Sequence, residues 1–203
     1  MLFSSCSLVQ KELKVEIPDA TWPPVVFKPI DTVTEFASLK RLRETHLAEG
    51  DLEIRIWRGF GLAPLEGVVL TRISGKWSAL YLISDVYVDI KGAYVKQLKA
   101  PKSGWDPFWQ KLSEADIATL PDPSQINCEN GGIDGMSYVV EINQNYAYRA
   151  YKYETSYPSK CEEVQKMKQI GRIIANEFYD GKQECINARW FPCVAKYGVE
   201  NDL

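Results

Sequence analysis

The sequence predicts an α+β fold, with an antiparallel sheet built from hairpins and helices packed on one of its faces. Three observations predict it. Strand-like and helix-like blocks are segregated along the chain rather than strictly alternating. Two pairs of strand-like runs flank short turn sequences, Ser74-Gly75 and Asn143-Gln144-Asn145. An amphipathic run from Ser159 to Phe178 has clear helical periodicity.

The elements follow in order. Residues 1–24 read as a lipoprotein-like start and an extended tether. Lys11, Glu12, Lys14, Glu16, Pro18, Pro23 and Pro24 leave that stretch with little periodicity, as a solvated linker needs. Residues 25–203 read as a single domain, because no break in composition divides them. A first helix is expected over 32–47. Thr32 and Glu35 suit a capping box, Val33, Phe36, Leu39 and Leu42 recur at helical spacing, and Gly50 follows as a stop.

Residues 52–57 alternate as a strand, with Ile54 and Ile56 on one face; Gly59, Gly61 and Pro64 end it. Residues 68–73 and 76–83 form the first expected hairpin. Trp77, Ala79 and Tyr81 point one way there, and Ser78, Leu80 and Leu82 the other. Both faces are largely apolar, which calls for a helix or second sheet against one of them. Residues 86–95 read as a further strand.

Residues 105–112 form a short helix on which Trp105, Trp109 and Leu112 stack at i, i+4 and i+7. A second short helix is expected over 113–120, capped by Ser113 with Asp116 and ended by Pro121 and Pro123. Gly131, Gly132, Asp134 and Gly135 make a turn-rich lead into the second hairpin, 137–142 and 146–154. The last helix has a capping box in Ser159 and Glu162. Its apolar stripe is Val164, Met167, Ile170, Ile174 and Phe178, and Gly181 stands at the C-cap position. A hairpin-plus-helix unit thus occurs around 66–112 and again around 135–180, without sequence similarity between the two.

Bulk composition bounds the function. Apolar residues make up 45% and charged residues 25%, enough for a real core. A formal net charge of -3 leaves no basic footprint for nucleic acid. No run approaches the roughly 18 apolar residues of a spanning helix. Six Trp and eleven Tyr serve both cores and recognition surfaces.

The chain opens Met1, Leu2, Phe3, Ser4, Ser5, Cys6. An apolar pair, two small residues and a cysteine match the end of a bacterial lipoprotein signal. Such signals need a basic region and roughly 7–15 apolar residues, so this reading expects more apolar sequence before Met1. Cys6 would carry the lipid, and the remainder would work at the periplasmic face of the envelope. The alternative is an ordinary cytoplasmic start. Cys128, Cys161, Cys185 and Cys193 remain, an even number, which suits two disulfides in an oxidising compartment. Four cysteines allow three pairings, and free thiols stay open. A zinc site has less in its favour, since no CxxC occurs and the sole histidine, His46, is distant in sequence.

Three stretches together resemble a group of uncharacterised bacterial envelope proteins, some of them lipoproteins. They are Trp57 to Gly61, then Gly67 to Ser78 with Gly75, Lys76 and Trp77, then Asp134 to Tyr138 continuing through Glu141 to Tyr148 and Arg149. The resemblance spans about residues 50–180. It implies an envelope location and this fold class, and it brings no activity.

Catalytic chemistry finds few candidates. Nucleophilic catalysis needs a histidine beside the nucleophile, and His46 lies on a charged stretch expected to be exposed. No G-x-S-x-G elbow occurs, and the Gly59-Phe60-Gly61 and Gly131-Gly132 turns feed no helix that would cradle phosphate. A carboxylate pair, Glu141 and Asp134, is the best catalytic candidate and would make a small exported hydrolase. Its structural alternative is a cross-strand ion pair between Glu141 and Arg149. Arg55, Trp57, Arg149, Tyr151 and Tyr153 are residue types enriched in binding hot spots. They predict a recognition face on the sheet for a protein or small-molecule partner in the envelope, with no metal or cofactor. A cytoplasmic structural or inhibitory role is the third reading.

Overall fold

A computed structural model describes residues 11–60, 64–85, 89–128, 137–155 and 159–178. The elements are β1 (Lys14–Glu16), α1 (Pro23–Phe36), β2 (Leu52–Gly59), β3 (Glu66–Ile73), β4 (Lys76–Ser84), β5 (Ala93–Gln97), α2 (Trp105–Glu114), β6 (Ser137–Gln144), β7 (Ala147–Glu154) and α3 (Glu162–Phe178). The strands form one sheet in the order β1-β7-β6-β2-β3-β4-β5. β2 is its axis, with one hairpin on either side. Ser74 and Gly75 (φ 49° and 76°) turn β3 into β4, and Asn145 and Tyr146 (φ 50° and 63°) turn β6 into β7. Positive φ at both central residues matches the twist of the strands being joined. The helix that follows each hairpin, α2 or α3, lies on the same side of the sheet.

The fold is α+β, and the sheet is mostly antiparallel. It is mixed rather than purely antiparallel, because β1 pairs parallel with β7, Lys14 opposite Ala147 through Glu16 opposite Arg149. Part of the stretch expected to be a tether is therefore a sheet edge. The first helix also begins earlier than expected. Pro23 and Pro24 occupy its first turn, where a missing N–H is harmless. Its buried stripe is Val26, Phe27, Ile30 and Val33. Thr32 makes no cap and donates instead to the Lys28 carbonyl within the helix, 3.0 Å away. Beyond Phe36 the chain leaves the helix at Ser38 (φ 56°), so Leu42 belongs to a separate 3₁₀ turn, Leu42–Glu44. Arg43 clamps that turn to α1 through two bonds to Asp31, at 2.7 and 2.6 Å.

Helices cover both faces of the sheet, not one. The reason lies in the strands. Leu52, Ile54 and Ile56 of β2 pack with Val140, Ile142 and Tyr151 under α2 and α3. The intervening Trp57, with Val69, Leu82, Val139, Tyr148 and Ala150, packs under α1. Two apolar faces must each be removed from water, and α1 covers the second. Residues 113–120 do not form a second helix after α2. Ser113 and Glu114 still belong to α2, and Asp116 turns the chain with φ 60°. Among the described residues no helix is long and apolar enough to cross a membrane.

α2 and α3 are held together at one end by Glu177. Its carboxylate accepts from Lys111 Nζ at 2.5 Å and from the Ser103 N–H and hydroxyl, both at 2.8 Å. Burial pushes the Glu177 carboxyl up, but these bonds outweigh it and hold the group below its ordinary value.

Gly67 has a packing reason. It faces Trp57 across the β2–β3 pair, and a Cβ there would fall 2.6 Å from the indole ring. The indole is fully buried and cannot swing aside. Gly67→Ala should lower stability by about 1–3 kcal/mol, the usual penalty of overpacking a core. Urea unfolding followed by tryptophan fluorescence measures it. An unchanged midpoint would refute the close packing of Trp57 on β3.

Candidate functional site

Glu141, the best catalytic candidate in the sequence, sits on β6 under α1 and is 1% exposed. Register places it opposite Arg55 of β2 and Ala150 of β7. Trp57 donates its indole N–H to Oε2 at 2.7 Å, and the Tyr148 hydroxyl donates to Oε1 at 3.0 Å. Both carboxyl oxygens are thus engaged by core side chains. Burial pushes the Glu141 carboxyl above its ordinary range; the Arg55 charge and the two donors offset part of that rise. Burial likewise raises Tyr148 well above its ordinary value, and the adjacent carboxylate adds to it. Tyr148 is therefore a donor to Glu141 and no candidate base.

Arg55 lies on the same face and is itself buried. It pairs with Glu53 at 2.7 Å and donates to the Lys40 carbonyl at 2.7 Å, with Thr34 Oγ1 at 3.4 Å. Its charge is compensated, and its bonds tie β2 to the segment after α1. Asn143 continues this role, donating to the Leu42 and Thr45 carbonyls at 3.0 and 2.6 Å. Arg55, Trp57 and Glu141 thus form one buried polar network that seats α1 and the 3₁₀ turn. The expected cross-strand pair of Glu141 with Arg149 does not form, because the two side chains leave the sheet on opposite faces.

Arg149, Tyr151 and Tyr153 are brought together, but inward. They are alternate residues of β7 on the α2–α3 side. Arg149 donates to the Ala118 and Leu120 carbonyls at 2.6 and 2.5 Å. Tyr151 donates to the Ile117 carbonyl at 2.8 Å and Tyr153 to the Pro121 carbonyl at 2.5 Å. The carbonyls of residues 117, 118, 120 and 121 are thus met by three side chains, so the segment after α2 does not need helical bonds to satisfy them. Buried carbonyls must find donors, and β7 supplies them. Asp122 completes the attachment. Its carboxylate accepts from Trp22 Nε1 at 3.2 Å, the Lys152 N–H at 2.9 Å and the Ser124 N–H at 3.0 Å. The recognition face expected from Arg55, Trp57, Arg149, Tyr151 and Tyr153 is therefore not a surface: two of these residues are buried under α1, and three hold a loop on the other side.

Cys128 and Cys161 form a disulfide, which pins the segment before β6 to the start of α3. Closing a loop of 33 residues restricts the unfolded chain by on the order of 4 kcal/mol in the chain-entropy account. Glu163 lies close to both sulfurs. Joined sulfurs are not thiolates, so this trio offers no ligand set for a soft metal in the oxidised protein. α3 starts at Glu162, later than a Ser159 cap requires; Ser159 Oγ accepts instead from the Cys161 N–H at 3.1 Å, ahead of the helix. His46 is exposed beyond the 3₁₀ turn. Cys6, Asp134, Cys185 and Cys193 lie outside the described residues.

What the residue-by-residue reading missed is a tryptophan cluster. Trp77 of β4 stacks on Trp105 of α2, with ring centroids 5.6 Å apart and planes 8° from parallel. Trp109 tilts against Trp77 at 5.4 Å. The Arg72 guanidinium lies 5.3 Å from the Trp77 ring. Phe108 and Phe178 form the buried floor, edge to face at 5.3 Å. The three indoles themselves are only half-buried. The i, i+4 pair Trp105–Trp109 was visible in the sequence. That Trp77 joins it depends on the sheet register. No protein-family model matches this chain, and no curated protein matches it.

The Glu141 network makes a signed prediction about pH. A carboxyl whose value is raised by folding favours the fold most when protonated. Its contribution is full below the unfolded value near 4.3 and is lost as pH rises through the raised folded value. Glu177, held low, works in the opposite sense, so the comparison must be with Glu141→Gln. The stability of wild type relative to Glu141→Gln should fall as pH rises from about 4 and then level off. Glu141→Ala should lose about 2–5 kcal/mol at low pH, because two buried donors lose their acceptor, and the loss should shrink as pH rises. Urea titrations at several pH values measure both. A wild-type advantage that grows with pH would contradict the raised carboxyl.

Proposed function

We propose that this chain is a non-catalytic binding module, exported and held at the cell envelope by a lipid on Cys6. The half-buried cluster of Trp77, Trp105 and Trp109, flanked by Arg72, carries the reading. Large rings left partly in water are a standing cost of roughly 25 cal/mol per Å² of apolar surface. Tryptophan and arginine are also the residues most enriched where binding energy concentrates. Among the described residues, Arg55, Trp57, Glu141, Arg149, Tyr151 and Tyr153 are already engaged within the core.

Support for the compartment comes from two features. The start of the sequence ends in small residues before Cys6. The Cys128–Cys161 disulfide belongs to an oxidising environment. The hydrolase reading draws no such support. Its acid, Glu141, is closed off by Trp57 and Tyr148.

Two measurements test the proposal. Intact mass of the protein recovered from membranes, expressed with its native upstream region, should correspond to a chain beginning at Cys6 and carrying diacylglycerol. An unmodified mass beginning at Met1 would remove the envelope half. A photo-crosslinking residue placed at Trp109 in the native cell should give a discrete adduct, whereas the same residue at exposed Glu49 should not. Absence of an adduct at 109 would remove the tryptophan cluster as the contact.

A further inference from the structure

The sheet has two edges, and they are treated differently. On one side β7 is covered by β1, and beyond β1 the Lys152 N–H is taken by Asp122. On the other side β5 is the last strand. The Asp85 N–H bonds the Gly92 carbonyl, and the Leu98 N–H bonds the Ala79 carbonyl. In an antiparallel pair such bonded positions recur at every second residue. Tyr94 and Lys96 therefore face β4 with their backbone groups. Ala93, Val95 and Gln97 turn their N–H and C=O groups outward, where no described strand meets them.

The same edge has a composition of its own. Tyr94 and Val95 are each 39% exposed, large apolar side chains on an open strand. Lys91, Lys96, Lys99 and Lys102 are exposed along 91–102, which contains no acidic residue, in a chain of formal net charge -3. Among the described residues Lys96 and Lys99 have no carboxylate partner, while Lys91 pairs with Asp89 at 3.3 Å. Lysine on an edge strand repels a like strand and so discourages pairing with a second copy. It attracts an acidic one. Beyond Leu98, which like Trp77 packs against the core under α2 and α3, the chain runs through 99–104 directly into Trp105. The open edge thus leads into the tryptophan cluster.

We infer that β5 is a docking edge for an extended acidic segment of a partner protein, which adds as a further strand. This rests on the binding-module reading and gives it a mode. Backbone groups of Ala93, Val95 and Gln97 pair with the incoming strand. Lys96 meets its carboxylates on one face of the sheet, its apolar side chains lie over Val95 on the other, and Lys99, just past the strand, adds to the positive charge. Main-chain pairing supplies affinity in this mode, and the flanking side chains supply selectivity.

The test uses the full chain and a capped peptide of about ten residues alternating Glu and Val, a length suited to one strand. Amide hydrogen exchange is read at Ala93, Val95 and Gln97. The peptide at about 1 mM, the weak end of peptide recognition, should slow exchange at these amides by at least about tenfold. A Lys/Val peptide of the same length should not. Val95→Pro removes one outward N–H and no bond to β4, so it should weaken binding about tenfold or more while leaving the fold intact. The double variant Lys96→Glu, Lys99→Glu should reverse the preference between the two peptides. Undiminished binding by Val95→Pro would overturn strand addition. So would protection of the three amides in the free chain, because the edge would already be covered. If β5 stays unprotected while crosslinking at Trp109 still traps a partner, only the docking mode fails; if both fail, the binding reading falls with it.

Discussion

Trp57 holds more of this structure in place than any other side chain. Its ring lies flat on Gly67 of β3, and its N–H is bonded to Glu141 of β6. Glu141 in turn receives Tyr148 of β7. Four adjacent strands are thereby cross-linked on the face that α1 covers, by one ring and one carboxyl. The arrangement demands a glycine beneath the ring, a carboxyl within reach of its N–H and a helix to exclude water. Removing water makes these bonds stronger and makes any unmet donor costly. It also raises the carboxyl, so the network works against its own anion. Arg55 on the neighbouring strand moderates that penalty, and Glu53 neutralises Arg55 in turn.

The fold class was legible because hairpins and amphipathic helices leave local signals. Ser74-Gly75 set the first turn, and the apolar stripe from Val164 to Phe178 set α3. The helix start at Pro23 was obscured by its own prolines, which read as linker although the first helical turn accepts them. β1 was unreadable because three residues with exposed side chains carry no period. The second layer was also understated. β4 has two apolar faces, which pointed to cover on one of them; the sequence held cover for both, but the start of α1 was placed nine residues late.

The site residues were misjudged for a single physical reason. Arg, Tyr and Trp are recognised as hot-spot residues because they combine apolar area with hydrogen-bond donors. A core with irregular backbone inside it needs the same combination. Arg149, Tyr151 and Tyr153 supply donors to the carbonyls of 117–121, and no sequence pattern marks that segment as lacking them. The tryptophan cluster had the converse problem. Trp105 and Trp109 looked like packing, and only the approach of Trp77 and Arg72 from the sheet makes them a half-exposed patch.

A mixed seven-stranded sheet has to do something with two rows of unpaired backbone groups. One edge is closed from within. β1 takes the first part of β7, and a buried aspartate takes the next N–H, with Trp22 and Ser124 fixing that aspartate in place. Such a cap uses residues distant in sequence, and the same aspartate also starts the 3₁₀ turn Pro123–Gln125. Among the described residues the other edge carries lysines beside exposed Tyr94 and Val95, and lysines keep like strands away without satisfying the backbone. Among the described residues no strand covers β5, and the segment after it leads to the half-buried indoles of Trp105 and Trp109. Closure on one side and charge on the other give the described sheet two unlike flanks, one completed by its own residues at β7 and one lined with lysines at β5.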